Sequence, residues 1–168
     1  MIRAGVYVAL TAVAAVVQVT WLSGFHPGGG GVDLLLLVVM SVGLLHGPEE
    51  GTLIGAGGGL LQDVVNGVPI GLGLSANLCT GFCAGIGEGR LYLEDIWLPA
   101  LAGFALTLVR NAVWIGVGHL AGVVSVAPLA VARVVVLSAC YNGVVAMPVF
   151  YWFRRMDRAL ERTFTRAR

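Results

Sequence analysis

The sequence contains no lysine, only three cysteines and few charges of either sign, with charged side chains at 11% of its 168 positions. Soluble globular chains carry about 25% charged residues and need a polar surface, so this poverty of charge excludes an ordinary water-soluble domain. Cys79 and Cys83 lie one helical turn apart in an apolar stretch and Cys140 stands alone. That spacing gives neither a disulfide framework nor the Cys/His grouping of a metal site, and small packing residues are the expectation. What is present is apolar: 58% of residues are hydrophobic, 25 are glycine, and the mean hydropathy is +0.90. This composition describes an all-α polytopic membrane protein. The length holds roughly five to seven spans of about 20 residues, leaving no room for a sizeable catalytic or ligand-binding domain outside the membrane.

Apolar runs punctuated by charge, glycine and proline predict six spans, at 4–24, 33–46, 52–66, 70–88, 96–119 and 128–153. The stretch from Met1 to Leu22 has the look of a secretory signal, but apolar segments continue to the C-terminus, so it is read as an uncleaved first span. Arg3 precedes that span, and six arginines from Arg154 to Arg168 follow the last one. Arginine excess marks the cytoplasmic side, which predicts both termini inside and an even number of spans. The connection carrying Glu88, Arg90, Glu94 and Asp95 then also falls inside. Residues 1–153 read as one transmembrane domain, and 154–168 as a basic amphipathic tail. From the end of the last span onward Phe153, Met156, Leu160 and Phe164 share one line while Arg154, Arg158, Arg162 and Arg166 share another, a pattern suited to anionic lipid.

Gly47, Gly51, Gly55 and Gly59 recur every four residues, and Gly81, Gly85 and Gly89 repeat the spacing. Ridges of small residues let helix backbones approach closely in lipid. Two uses remain open: close packing within the chain, or a groove for a partner helix. Within the apolar segments stand Asp33, Asp63, Arg110 and Arg133, each costing about 2.5–3.5 kcal/mol at mid-membrane. All four fall in the outer half of the predicted topology, so an intramembrane polar cluster is expected, helped by Gln62, Asn66, Asn111 and Asn142. Its reading is ion pairs that fix helix register, or else a binding or conducting site. His46 and His119 read as loop-edge and interfacial residues. Trp21, Trp97, Trp114, Trp152, Tyr92 and Tyr151 fall near span ends, as an aromatic belt requires.

Catalytic patterns are not met. Gly73-Leu74-Ser75-Ala76-Asn77 lacks the last glycine of a nucleophile elbow, and H-E-x-x-H and P-loop motifs are missing. Glu49-Glu50 is similar to the glutamate pair of membrane-embedded prenyl-protein proteases, yet no arginine follows at their fixed distance. No enzyme activity and no cofactor is expected.

The stretch His46-Gly47-Pro48-Glu49-Glu50-Gly51, the glycines to Gly59, and Leu60-Leu61-Gln62-Asp63-Val64-Val65-Asn66-Gly67-Val68-Pro69-Ile70-Gly71-Leu72 resembles the signature region of the rod shape-determining MreD family. That family shows a glycine-rich segment, G-L-x-x-D, a small polar turn and P-L-G-L. Asp33 with Leu34 to Leu37 is similar to its P-D-L-L-L span, with Val32 in place of proline. Asp63, Gly67, Pro69 and Gly71 match the motif positions that shape the turn. The resemblance implies a non-enzymatic scaffold of the bacterial elongation machinery (elongasome) in the inner membrane. Such a scaffold binds MreC and, indirectly, MreB and the peptidoglycan-building glycosyltransferase and penicillin-binding transpeptidase, with no nucleic acid. The family's span count and size are also similar to the substrate-binding subunits of energy-coupling-factor vitamin transporters. A substrate subunit is therefore the alternative.

Overall fold

The computed structural model describes residues 2–20, 29–88, 97–123 and 128–165, and these form five α-helices. They are α1 (Ile2–Thr20), α2 (Leu34–Asn66), α3 (Leu72–Ile86), α4 (Leu98–Leu120) and α5 (Pro128–Thr165). Leu34–Asn66, Leu98–Leu120 and Val131–Ala159 are long and apolar enough to cross a membrane, while Gly5–Gln18 and Leu72–Ile86 are shorter apolar helices. Among the described residues the six-span expectation is thus corrected to five helices, three of them long and apolar enough to cross a membrane. Segments 33–46 and 52–66, predicted as separate spans, belong to the single element α2. Arg90, Glu94, Asp95, Trp21, Tyr92 and the chain after Thr165 lie outside the described residues.

The reason lies at Gly47, whose φ of 89° and ψ of −178° break α2 internally just before Pro48. A side chain disfavours that φ, and a proline that begins a helical leg loses no hydrogen bond. Hydrogen bonding continues on both sides, so the two legs, 34–46 and 48–66, form one element that doubles back. Gln62 follows Asp33 by 29 residues and would stand about 43 Å away along a straight helix. Both nonetheless touch the same guanidinium, that of Arg110. A Cβ on Gly51 would lie 2.8 Å from the Gly43 Cα, and one on Gly58 equally close to Leu35 Cδ1. These pairings run antiparallel.

The first leg is the centre of the bundle. Every residue from Leu35 to Leu44 is buried, which is why the run Leu34 to Met40 is apolar on all sides rather than amphipathic. One side of the leg packs Leu35, Val38, Val39 and Val42 against Tyr7, Ala14 and Ala15 of α1 and Phe153 of α5. The other packs Leu36, Leu37, Met40 and Leu44 against Ala84, Leu106, Ala146 and Phe150. Ser41 sits wholly buried among them, its hydroxyl satisfied by the Leu37 carbonyl at 2.7 Å. Helix α5 passes through the expected domain boundary at 153/154 without a break and continues as far as Thr165, the last described residue. Phe153 and Met156 of its basic end pack on the core, while Arg155 and Arg158 are exposed.

Candidate functional site

At the end of the bundle where α2 begins, Asp33 has two roles. Its Oδ1 accepts the Leu36 amide at 3.0 Å as the N-cap of α2, and its Oδ2 lies 3.0 Å from Arg110 Nη1. Arg110 also donates through Nε to Asn77 Oδ1 and through Nη2 to Gln62 Oε1, both at 3.1 Å. Asn77 Nδ2 completes the ring by donating to Gln62 at 3.0 Å. Below the pair, the wholly buried Asn142 accepts the Asp33 amide at 2.7 Å and donates to Thr107 Oγ1 at 3.1 Å. A charged pair at 13% and 14% side-chain exposure is tolerable only with such added hydrogen bonds. The network ties α2, α3, α4 and α5 together.

Two of the four predicted members stand elsewhere. Among the described residues Asp63 meets no arginine: its carboxylate accepts the amides of Gly71 at 2.9 Å, Gly73 at 2.7 Å and Leu74 at 3.1 Å. It therefore caps α3, where free amides and the helix dipole favour a negative charge. Gly67, at φ 65°, closes α2, and Gly71, at φ 121°, turns the chain into α3, with Pro69 between them. The turn motif thus has one structural purpose, to bring α3 back along the second leg of α2 with Asp63 as its cap. Arg133 is exposed on α5, and helical phase explains its absence from the cluster. Asn142 lies nine residues further on, half a revolution out of register. Asn66 is exposed at the end of α2, and Asn111 donates to the Thr107 carbonyl of its own helix at 2.8 Å. Asn77 and Thr107, which the sequence reading missed, carry network bonds; each is a polar residue at helical spacing in an apolar segment.

The glycine ridge is the seam between α2 and α3. A Cβ on Gly51 would come within 2.5 Å of the Gly81 carbonyl oxygen. One on Gly55 would strike the Asn77 carbonyl, one on Gly59 that of Gly73, and one on Gly85 the Pro48 backbone. Gly47 lies beneath the Glu88 carboxylate. The face offered by Gly51, Gly55 and Gly59 is therefore covered from within the chain.

A second polar cluster lies at the opposite end of the central leg. Buried Tyr7 donates to Asp157 Oδ1 at 2.7 Å, and His46 Nε2 lies 3.0 Å from the same hydroxyl and 3.4 Å from Asp157. Glu50 approaches His46 Nδ1 at 3.9 Å. His46 is thus a half-buried junction of α1, α2 and α5 rather than a loop-edge residue. Its signal in the sequence was Tyr7, an aromatic hydroxyl in an apolar helix that must find a partner when buried.

Between the clusters stand the apolar layers of Leu36, Leu37, Met40 and Leu44, which separate the two ends. Among the described residues no three His, Cys, Asp or Glu side chains are grouped as a metal site requires. Beside the Asp33–Arg110 pair opens a cavity of about 220 Å³, and an apolar groove of about 480 Å³ runs between α1 and α5. No family model, curated protein or solved structure matches the chain.

Proposed function

We propose that the protein is a non-enzymatic membrane scaffold of the MreD type. It would sit in the bacterial inner membrane with both termini cytoplasmic, bind the membrane span of MreC and support lateral peptidoglycan synthesis. The observation that carries this reading is how the signature residues are used. Gly51, Gly55 and Gly59 are taken up by backbone contact with α3, and Asp63 by three backbone amides. Residues employed in this way build a rigid membrane body, which a scaffold needs.

Purification of the tagged protein from its own membranes in mild detergent, with mass-spectrometric identification of stoichiometric partners, tests the proposal. Recovery of a single-span protein with a large extracytoplasmic domain, together with cell-wall synthases, is expected. Recovery of cytoplasmic ATPases with a transmembrane coupling subunit would replace the scaffold by an uptake subunit.

A further inference from the structure

The cavity at the Asp33 end is lined by both members of the ion pair and by Asn111, Ser138, Asn142 and Gln18. Its volume of about 220 Å³ is that of roughly seven water molecules at liquid density, enough for a small organic molecule. Three features set the chemistry it would accept. Arg110 has five N–H donors, and bonds from Nε, Nη1 and Nη2 to Asn77, Asp33 and Gln62 employ three of them. The Asp33 carboxylate accepts one bond on each oxygen, leaving lone pairs on both. The pair is also balanced in charge, so a lone anion or cation entering beside it would bring an unmatched charge into a poorly solvated site. A molecule carrying both charges brings none.

We propose that this cavity binds a small zwitterion, with its ammonium group on Asp33 and its anionic group on Arg110, while Asn111 and Ser138 meet its remaining polar atoms. The shared chemistry is an ammonium and an oxyanion a few ångströms apart. An amino acid in solution and a phosphoethanolamine lipid headgroup both offer it. The inference stands apart from the scaffold reading, because partner recovery does not depend on the cavity.

The test is thermal unfolding of the full chain in uncharged detergent, followed by tryptophan fluorescence, during titration with glycine and with O-phosphoethanolamine. Glycolamide, ethylammonium chloride and sodium acetate are the neutral, cationic and anionic controls. A saturable rise of about 4 °C with a zwitterion and none with the controls is expected. Asn111→Leu narrows the cavity and removes a proposed ligand contact without touching the ion pair, and should abolish the rise, measured against the variant's own ligand-free transition. Asp33→Asn retains an oxygen for the cap but leaves Arg110 unmatched, and should exchange the response to glycine for one to acetate. A further rise in phosphatidylethanolamine over phosphatidylglycerol nanodiscs, lost in Asn111→Leu, assigns the site to a lipid headgroup. A response to the soluble compounds alone assigns it to a free solute. The proposal is overturned if no zwitterion or phosphatidylethanolamine disc shifts the transition, if glycolamide acts equally, or if the shift survives in Asn111→Leu.

Discussion

The two flanks of the second helix are built on opposite principles. Toward α3 the contact is backbone on backbone, with glycines at 51, 55, 59, 81 and 85 leaving no space for even one methyl group. Toward α1 and α5 the contact is made by large side chains, and where Leu10, Val13, Val149 and Trp152 fail to meet, a groove of about 480 Å³ remains. Proximity sets tolerance: a seam between main chains has no rotamer to adjust, whereas side-chain packing can relax around a change.

Gly81→Leu should have the largest effect. Its side chain would occupy the position of the Gly51 carbonyl, and separating the helices also opens the cap and the Gln62–Asn77 bond. Loss of monodisperse protein on size exclusion is expected. A Gly81→Leu protein that purified with wild-type yield would show that the seam is looser than drawn. Asp63→Ala comes next, because it strands three amides that lie at the same seam. At about 1–3 kcal/mol for each unsatisfied buried group, a severe fall in folded yield is expected. Asp63→Asn keeps an oxygen acceptor and should recover part of it; equal loss in both variants would mean that the charge, not the cap, matters.

How much of this was legible in the sequence follows the same division. The close packing was visible because it depends on glycine at a four-residue period, a property of sequence alone. A polar cluster was legible too, since charges within apolar runs must find each other, but not that Asp33 rather than Asp63 would be the acid that meets Arg110. The partner of Asp63 was not, because three of its bonds go to main-chain amides, and main chain carries no sequence signal. A carboxylate preceding Gly67-Val68-Pro69-Ile70-Gly71 and a new helix is nonetheless the order expected of a cap. Arg133 shows the reverse failure: it was grouped with Asp33 by depth, but it stands nine residues, about 14 Å along α5, from the Asn142 that bonds Asp33, and on the opposite phase. Gly47 was read as part of a loop between two spans, whereas a single left-handed residue turns the chain without one. Tyr7 and Asp157, 150 residues apart, meet only through the closure of the whole bundle.

The ion-pair network should give an intermediate effect. Arg110→Met leaves Asp33 buried with an unmatched charge, and about 3–5 kcal/mol is the usual cost of breaking such a pair. Asp33→Asn combined with Arg110→Met removes both charges and keeps the cap. The double variant should therefore be more stable than Arg110→Met alone, as read by unfolding in mixed micelles. Additive losses would mean that the two side chains are not coupled.

The smallest effect is expected on the α1 side, and it gives the most direct comparison. Val13→Ala removes two methyl groups from the wall of the groove, where Val13 is 60% exposed, so a change within about 0.5 kcal/mol is expected. Gly81→Ala adds one carbon at the seam, against the Gly51 carbonyl, and overpacking typically costs about 1–3 kcal/mol. The smaller change in side-chain volume should thus do more damage. If Val13→Ala were the costlier change in native membranes but not in detergent, the groove wall would be packed against another molecule in the membrane. The contrast between the flanks would then be between a seam closed by the chain itself and one closed from outside.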